Sequence, residues 1–278
     1  MEVSVECLRF FAALIESETG IVYSEPNYYQ LIPRIVELTQ TFALSGPDEL
    51  RRSVEEHLLT PEQRHHLIDA ATNNETSFFR DRKVFEAIHE VMTTITSEKD
   101  TLKIWSAACS TGQESYSLAM TLLESKNEKV KRSIYSILAS DISERVLAKA
   151  TKGHYTELEI DRGLESSLRS KYFEQLTQSQ NLASTWRAKK VLSEHIHFKK
   201  INLLERWTHS SKFDIVLCRN VLIYQNVENK RKVIQRIFDN LEPSGYLILG
   251  GAESLSGISE DFEHVPVAGA VVYRKLSA

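Results

Sequence analysis

Four polar side chains follow four apolar, strand-like runs. Glu114 lies after LKIWSA and the loop ACSTGQ, and Asp141 ends SIYSILASD. Asn202 follows HIHFKKI, and Asn220 comes two residues after FDIVLC. Carboxylates accept hydrogen bonds from hydroxyls and attract cations, whereas amides both donate and accept, as an adenine edge or an amino-acid group requires. The set predicts a site for a polar, partly cationic small molecule.

The elements that carry these residues alternate between strands and helices from residue 101 onward. Helical patterns such as ESYSLAMTLLES separate most of the four runs above and a fifth, YLILGG. This alternation predicts an α/β fold with a doubly wound parallel sheet, in which ligands bind outside the carboxyl ends of the strands. FEHVPVAGAVVYRK predicts two last strands that join at an Ala-Gly turn and add an antiparallel edge. A segment at about 150–195 predicts an inserted subdomain.

Before this region the sequence has only helical periodicity. Residues 1–72 contain four short helical patterns, one of which begins with Thr60 as N-cap and Pro61 at the first helical position. They predict a small all-α N-terminal domain. Residues 73–100 predict a linker and the first helix of the catalytic domain, which continues over 101–278.

The loop after the first strand has Gly112 but not the G-x-G-x-x-G pattern that lets a backbone approach a pyrophosphate. Glu114 at a helix start would also compete with phosphate for the helix dipole, which disfavours a dinucleotide site. Glu114 either forms a capping box with Thr111 or meets a cation. Asp141 either accepts two ribose hydroxyls or caps a helix, a role that Ser143 can also fill.

Asn202 and Asn220 are each also consistent with a turn-forming asparagine. Together, acceptors for a ribose, amides for an adenine and a carboxylate for a cation, without a phosphate site, describe a site for S-adenosylmethionine. A sulfonium needs no activation by the protein, so the catalyst has mainly to align a nucleophile and exclude water.

Composition disfavours other classes. The net charge of −4 argues against nucleic-acid binding through bulk electrostatics. Because no apolar run reaches the about 18 residues of a membrane span and the N-terminus lacks a basic start, we expect a cytoplasmic protein without membrane insertion. Cys7, Cys109 and Cys218 are too scattered for disulfides and are interpreted as buried, inert thiols. No Cys or His pair has zinc-like spacing, so no metal site is expected.

Six motifs, in this order and spacing, closely resemble the CheR family of chemotaxis receptor methyltransferases: NNETSFFRD, IWSAACSTGQESYSLAM, ASDIS, INLLE, FDIVLCRNVLIYQN and GYLILGGAESL. The resemblance extends from about residue 5 to the end of the chain. It implies a Rossmann-like class I methyltransferase that uses S-adenosylmethionine, releases S-adenosylhomocysteine and methyl-esterifies glutamate side chains on the cytoplasmic helical bundle of a chemoreceptor, in chemotaxis-type signalling. A monomer that does not bind nucleic acid is expected.

The resemblance also implies which positions are functional. Those that match the family's cofactor site are Asn74, Thr76, Arg80, Glu114, Asp141, Asn202, Leu203, Asn220 and Val221. Arg80 and Tyr224 match positions that serve the reacting centre. A glutamate has a reference pKa of about 4.3 and is ionised at neutral pH, so no general base is required. Arg80 is expected to be at least half-buried with a carboxylate partner, and Asp81 to cap the next helix.

Three features depart from the family pattern. Gln113 and Ser115 stand where many relatives have glutamate and proline. The segment YYQLIPRIVELTQTF carries only Arg34, whereas relatives often present several arginines to an acidic receptor helix. The inserted segment lacks the glycine-bearing turn with which some members dock a tethering peptide. Trp186 and Arg187 are either an alternative dock or, for Trp186, part of the core.

Two other function classes are alternatives to this interpretation. The sequence NVLIY faintly resembles the Asn-Pro-Pro-Tyr motif of adenine or cytosine N-methyltransferases, but it lacks both prolines. A sensor or scaffold that binds the cofactor without turnover is the third hypothesis, and the intact Arg80 and Tyr224 argue against it.

Overall fold

The computed structural model describes residues 1–176, 185–207 and 211–276. The α-helices are α1 (Val5–Thr19), α2 (Ile32–Thr41), α3 (Pro47–Glu55), α4 (Pro61–Ala71), α5 (Arg82–Glu98), α6 (Gln113–Leu123), α7 (Glu128–Arg132), α8 (Glu144–Lys152), α9 (Glu157–Asp161), α10 (Ser166–Tyr172), α11 (Lys190–Ser193) and α12 (Val227–Asn240). Two 3-10 helices span Glu25–Gln30 and Leu222–Tyr224. The strands are β1 (Thr101–Ala107), β2 (Ile134–Asp141), β3 (His154–Thr156), β4 (Phe173–Leu176), β5 (Thr185–Ala188), β6 (Ile196–Lys200), β7 (Phe213–Cys218), β8 (Leu241–Leu249), β9 (Phe262–Val267) and β10 (Ala270–Lys275).

A seven-stranded sheet with the order β6-β2-β1-β7-β8-β10-β9 forms the centre of the molecule. Neighbours from β6 to β8 pair in parallel, and β10 pairs antiparallel with both β8 and β9. Val267 pairs with Ala270, so Ala268 and Gly269 form the predicted turn. The predicted doubly wound α/β sheet with an antiparallel edge is confirmed. The carboxyl ends of β1, β2, β6 and β7 lie along one edge of the sheet, where such sheets bind ligands.

Both faces of the sheet are covered. Along β1, Leu102 and Ile104 belong to one buried cluster, while Trp105 and Ala107 belong to another, because side chains alternate between the faces of a strand. Helices α5 and α6 contribute to the first cluster and α12 to the second. This double cover explains why the strands are apolar runs rather than alternating patterns.

The predicted all-helical N-terminal region is present as α1 to α4, which bury a third cluster. Thr60 forms a capping box with Gln63, which confirms the predicted start of α4. Helix α4 ends at Ala71, close to the predicted boundary. The division of the chain into domains at 1–72, 73–100 and 101–278 stays a prediction.

The predicted insertion contains a three-stranded antiparallel sheet with the order β3-β5-β4. Trp186 on β5 is half-buried, its indole donates to Glu157, and the Arg169 guanidinium lies 4.9 Å from its ring centroid. Arg187 pairs with Glu174. The turn compared with the family's docking turn falls on 177–184, outside the described residues.

All three cysteines are buried, as predicted, and their thiols are free. Burial raises the pKa of the Cys7 thiol to about 11 and raises the pKa of Cys109 and Cys218 well above the ordinary value. Across the described ranges, no cluster of three or more His, Cys, Asp or Glu side chains could hold a metal ion. In the same ranges, no helix is both long enough and apolar enough to cross a bilayer.

Gly163, in the insertion, lies against the segment before α5, and we propose that this close contact supports the segment. Its φ is +97°, and a Cβ built there would lie 2.0 Å from the carbonyl oxygen of Phe78. Gly257 has a φ of +70° but open space around it. Both alanine variants carry the left-handed strain of about 1–2 kcal/mol, and Gly163→Ala also has to move Phe78. Urea denaturation should therefore show a larger loss of unfolding free energy for Gly163→Ala than for Gly257→Ala. Equal losses would contradict the proposed support.

Candidate active site

A cleft opens at the carboxyl ends of the parallel strands. It is lined by every residue assigned from the sequence to the cofactor or the reacting centre, namely Asn74, Thr76, Arg80, Glu114, Asp141, Asn202, Leu203, Asn220, Val221 and Tyr224. Thr19 and Ile21, from the N-terminal helical region, also line it. The structure thus brings the predicted residues together, while their individual roles stay predictions.

Glu114 lies in the first turn of α6 and faces inward. Its Oε1 accepts from the Ser106 hydroxyl at 2.7 Å, and its Oε2 accepts from Arg219 Nη1 at 3.0 Å. The alternative of a capping box is wrong, since the N-cap is Gly112, with a φ of 93°, and Thr111 donates to Gln113 instead. The carboxylate is therefore held at the cleft wall by the Arg219 guanidinium and the Ser106 hydroxyl.

Arg219 is a site residue that reasoning from the sequence missed. Its side chain is only 2% exposed. Besides Glu114, the guanidinium binds the Asp81 carboxylate at 2.7 Å and the Arg80 carbonyl at 2.9 Å. Asp81 precedes α5 as predicted but makes no capping bond, because its φ is 65° and its carboxylate turns to Arg219. The only signal was the arginine within the motif CRNV.

Asp141 ends β2 and is 5% exposed. Its oxygens accept from the backbone amides of Ser110 at 2.9 Å and Ser143 at 3.0 Å. Burial raises the pKa of this carboxyl, against the effect of the amide hydrogen bonds. Helix α8 is capped by Ser143, whose hydroxyl accepts from Val146, so the alternative role of Asp141 as N-cap is wrong. Asp141 remains free to accept hydroxyl donors from the cleft.

Asn202 forms a turn and also joins two parts of the chain. Its Oδ1 accepts from the amide of Leu204 at 3.0 Å, as in the turn-forming alternative. Its Nδ2 donates to the carbonyl of Glu18 at 2.9 Å, at the end of α1. Asn220 has a φ of 59°, which asparagine tolerates better than most residues. Its backbone N–H donates to Glu253 Oε2 at 2.7 Å.

Arg80 is half-buried, as predicted, but the prediction that it has a carboxylate partner is wrong. Its Nη1 donates to the carbonyl of Glu75 at 3.1 Å, and within the described part of the chain it forms no ion pair. The Glu75 side chain pairs with Arg162 instead. Phe78, two residues before Arg80, is fully buried against Tyr155. Arg80 thus presents an unpaired positive charge to the cleft.

Tyr224 lies where the N-terminal helices meet the sheet. Its hydroxyl accepts from Asn73 Nδ2 at 2.9 Å, and its carbonyl accepts from the amide of Val22 at 2.8 Å. Next to it, Gln225 Nε2 donates to the carbonyl of Thr19 at 3.3 Å. The segment after α1 therefore closes one side of the cleft.

Arg34 lies on α2, near this side of the cleft. It donates to the carbonyl of Ala71 at 2.8 Å and to the Tyr23 hydroxyl. Burial raises the pKa of Tyr23, and the Arg34 charge partly opposes that shift.

The sequence of this chain is similar to those of known methyltransferases. The family described as "CheR methyltransferase, SAM binding domain" matches residues 74–271. The chemotaxis protein methyltransferase of Vibrio parahaemolyticus is 36% identical, over 96% of this chain and 95% of that protein. Chemotaxis protein methyltransferase 1 of Vibrio cholerae is also 36% identical, over 96% and 95%. Chemotaxis protein methyltransferase 1 of Pseudomonas aeruginosa is 33% identical, over 96% of each chain.

The chain belongs to the CheR methyltransferase family. It is therefore a methyltransferase that uses S-adenosylmethionine, and the Rossmann-like fold expected for it is confirmed. The donor chemistry of the cleft fits this cofactor: a buried carboxylate at the end of β2 suits a ribose, and Glu114 at the helix start disfavours phosphate.

The buried arginine of this CheR-family site gives a stability prediction. Arg219→Met leaves Glu114 without its cation, and the loss of one partner of a buried pair costs about 3–5 kcal/mol. Arg274→Met is a matched control, because Arg274 pairs with Glu263 at the surface, where a salt bridge contributes about 0–1 kcal/mol. Guanidinium denaturation should separate the two variants. A loss for Arg219→Met as small as that for Arg274→Met would contradict the role of this pair.

Proposed function

We propose that the chain transfers a methyl group from S-adenosylmethionine to glutamate side chains on the cytoplasmic helical bundle of a chemoreceptor. It would act as a protein-glutamate O-methyltransferase in the cytoplasm, as a monomer. The proposal is supported by family membership and by relatives named as chemotaxis protein methyltransferases. The observation that carries it is the guanidinium of Arg80, which forms no ion pair with any described residue and lies in the same cleft as the Tyr224 hydroxyl.

This arrangement suits an acceptor that arrives with a negative charge. A glutamate side chain is ionised at neutral pH, so the site needs no base to generate the nucleophile. Arg80 can bind one carboxylate oxygen through a charge-assisted hydrogen bond, and Tyr224, held by Asn73, can orient the other oxygen or the sulfonium side. Since a cation also lowers the nucleophilicity of a carboxylate, the contribution of Arg80 is positional.

The remaining residues have roles in holding the donor. We assign the ribose hydroxyls to Asp141 and the methionine ammonium to the neighbourhood of Glu114. When bound, S-adenosylmethionine supplies an electrophilic methyl group, which forms a C–O bond as the C–S bond breaks and leaves a neutral thioether. The other proposed cofactor contacts come from Asn74, Thr76, Arg80, Asn202, Leu203, Asn220 and Val221.

Arg80→Ala separates binding from transfer. We expect this variant to keep most of its affinity for S-adenosylhomocysteine but to lose transfer to receptor glutamates, because the acceptor carboxylate is no longer positioned. Arg82→Ala is the control, since Arg82 is exposed and pairs with Glu165 at 2.9 Å. The assay follows labelled methyl groups from S-adenosylmethionine into base-labile esters on receptor-containing membranes.

Normal transfer by Arg80→Ala would refute the role of Arg80. Label in DNA rather than in receptor esters would support a nucleic-acid methyltransferase. Cofactor binding by the unmodified protein without any transfer would support a sensor or scaffold instead.

The affinity for the cofactor should depend on pH, through the protonation of Asp141. Because its folded pKa is raised, Asp141 protonates at a higher pH than an exposed aspartate, whose pKa is about 3.9. Stability from this group is present below the unfolded pKa and is lost as pH rises through the folded pKa. Binding has the opposite sign, since ribose hydroxyls need the ionised acceptor.

Calorimetric titration with S-adenosylhomocysteine should therefore give a dissociation constant that rises as pH falls through the raised pKa. Asp141→Asn should bind roughly tenfold or more weakly at neutral pH and lack this pH dependence. A variant with the same acid dependence as the unmodified protein would exclude Asp141 as the titrating group.

A further inference from the structure

Glu253 follows β8 and lies outside the residues assigned above. Its Oε2 accepts from the amides of Asn220 at 2.7 Å and Gly250 at 2.8 Å. Its Oε1 accepts from the amides of Val221 at 2.9 Å and Ile223 at 3.3 Å. One carboxylate thus receives four backbone N–H groups, three of which belong to the loop after β7.

Besides the contacts of Arg219 and Tyr224 described above, this loop is held by its backbone hydrogen bonds to Glu253. It leaves β7 after Cys218, reverses at Asn220 with a φ of 59°, and reaches the short 3-10 helix that ends at Tyr224. Its successive amides are not paired in a strand or in an α-helix, and a buried, unpaired N–H is costly. Hydrogen bonds from amides to an ionised carboxylate are stronger than those to a neutral acceptor.

We propose that Glu253 is a positioning residue for methyl transfer. Its carboxylate fixes the loop so that Asn220 and Val221 face the cofactor and Tyr224 faces the reacting centre. Glu253 itself does not line the cleft. The inference rests on the proposed function only through the placement of these three residues in the site.

Glu253→Gln is the main test, because glutamine keeps the length but turns an NH₂ group towards N–H donors. The dissociation constant of S-adenosylhomocysteine should rise about tenfold or more, and kcat for methyl transfer should fall as well. The control is Glu263→Gln. Glu263 is an exposed residue on β9 that pairs with Arg274, so this variant should leave both quantities unchanged.

Hydrogen exchange distinguishes positioning from a general loss of stability. In Glu253→Gln, the amides of Asn220, Val221 and Ile223 should exchange faster, while those of β7 (Phe213–Cys218) keep their protection. A purely structural role would accelerate exchange in both places.

A second pair of variants keeps Glu253 and changes one of two glycines that precede it in the chain. A Cβ at Gly250 would lie 2.7 Å from Asn220 Nδ2 and 2.8 Å from Glu253 Oε2, whereas a Cβ at Gly251 would meet nothing within 4 Å. Gly250→Ala should therefore weaken binding of S-adenosylhomocysteine, and Gly251→Ala should not.

Unchanged binding and unchanged loop exchange in Glu253→Gln would overturn the inference, as would a loss of melting temperature with normal affinity and kcat. The test stays separate from the proposed function, because binding of S-adenosylhomocysteine needs no methyl acceptor. Failure of receptor methylation with an intact effect of Glu253 on binding would refute only the acceptor.

Discussion

The buried guanidinium of Arg219 joins three segments that the chain brings together only by folding. It binds Glu114 at the start of α6, and the carboxylate of Asp81 and the carbonyl of Arg80 before α5, while it stands itself in the loop after β7. A cation with a side chain 2% exposed requires such partners, since an uncompensated charge in the interior is very unfavourable. This contact also holds the backbone of Arg80, because its carbonyl accepts one of the hydrogen bonds from Arg219.

The cleft also depends on the N-terminal helices. Ile21 forms a β-bridge with Gln225, and Asn202 binds the carbonyl of Glu18. These contacts connect the end of α1 to the loops after β6 and β7, which carry much of the proposed cofactor site. The helical region is thus a wall of the cleft, which is bounded by both parts of the chain.

Much of this could be predicted from the sequence, because the alternation of strands and helices and the location of the site follow from local patterns. Apolar runs followed by Glu114, Asp141, Asn202 and Asn220 were sufficient to place those residues at one edge of the sheet. The partners of their polar atoms were less accessible. Glu114 contacts Arg219, 105 residues away in sequence, rather than Thr111, and no local pattern encodes that choice.

The same reason explains the other misses. Asp81 stands where an N-cap belongs, yet it has a left-handed backbone and pairs with Arg219, so tertiary contacts override the capping preference. Arg80 lacks its expected carboxylate because Glu75 pairs with Arg162 from the insertion. Glu253 was hidden because its partners are backbone amides, which leave no trace in the identities of the residues they belong to.

A crystal structure with S-adenosylhomocysteine bound tests the central claim most directly. The account predicts that the ribose hydroxyls lie against the Asp141 carboxylate, that the amino group lies on the side of Glu114, and that the sulfur faces the space between Arg80 and Tyr224. A ligand bound outside this cleft, or one whose sulfur points away from Arg80, would contradict it.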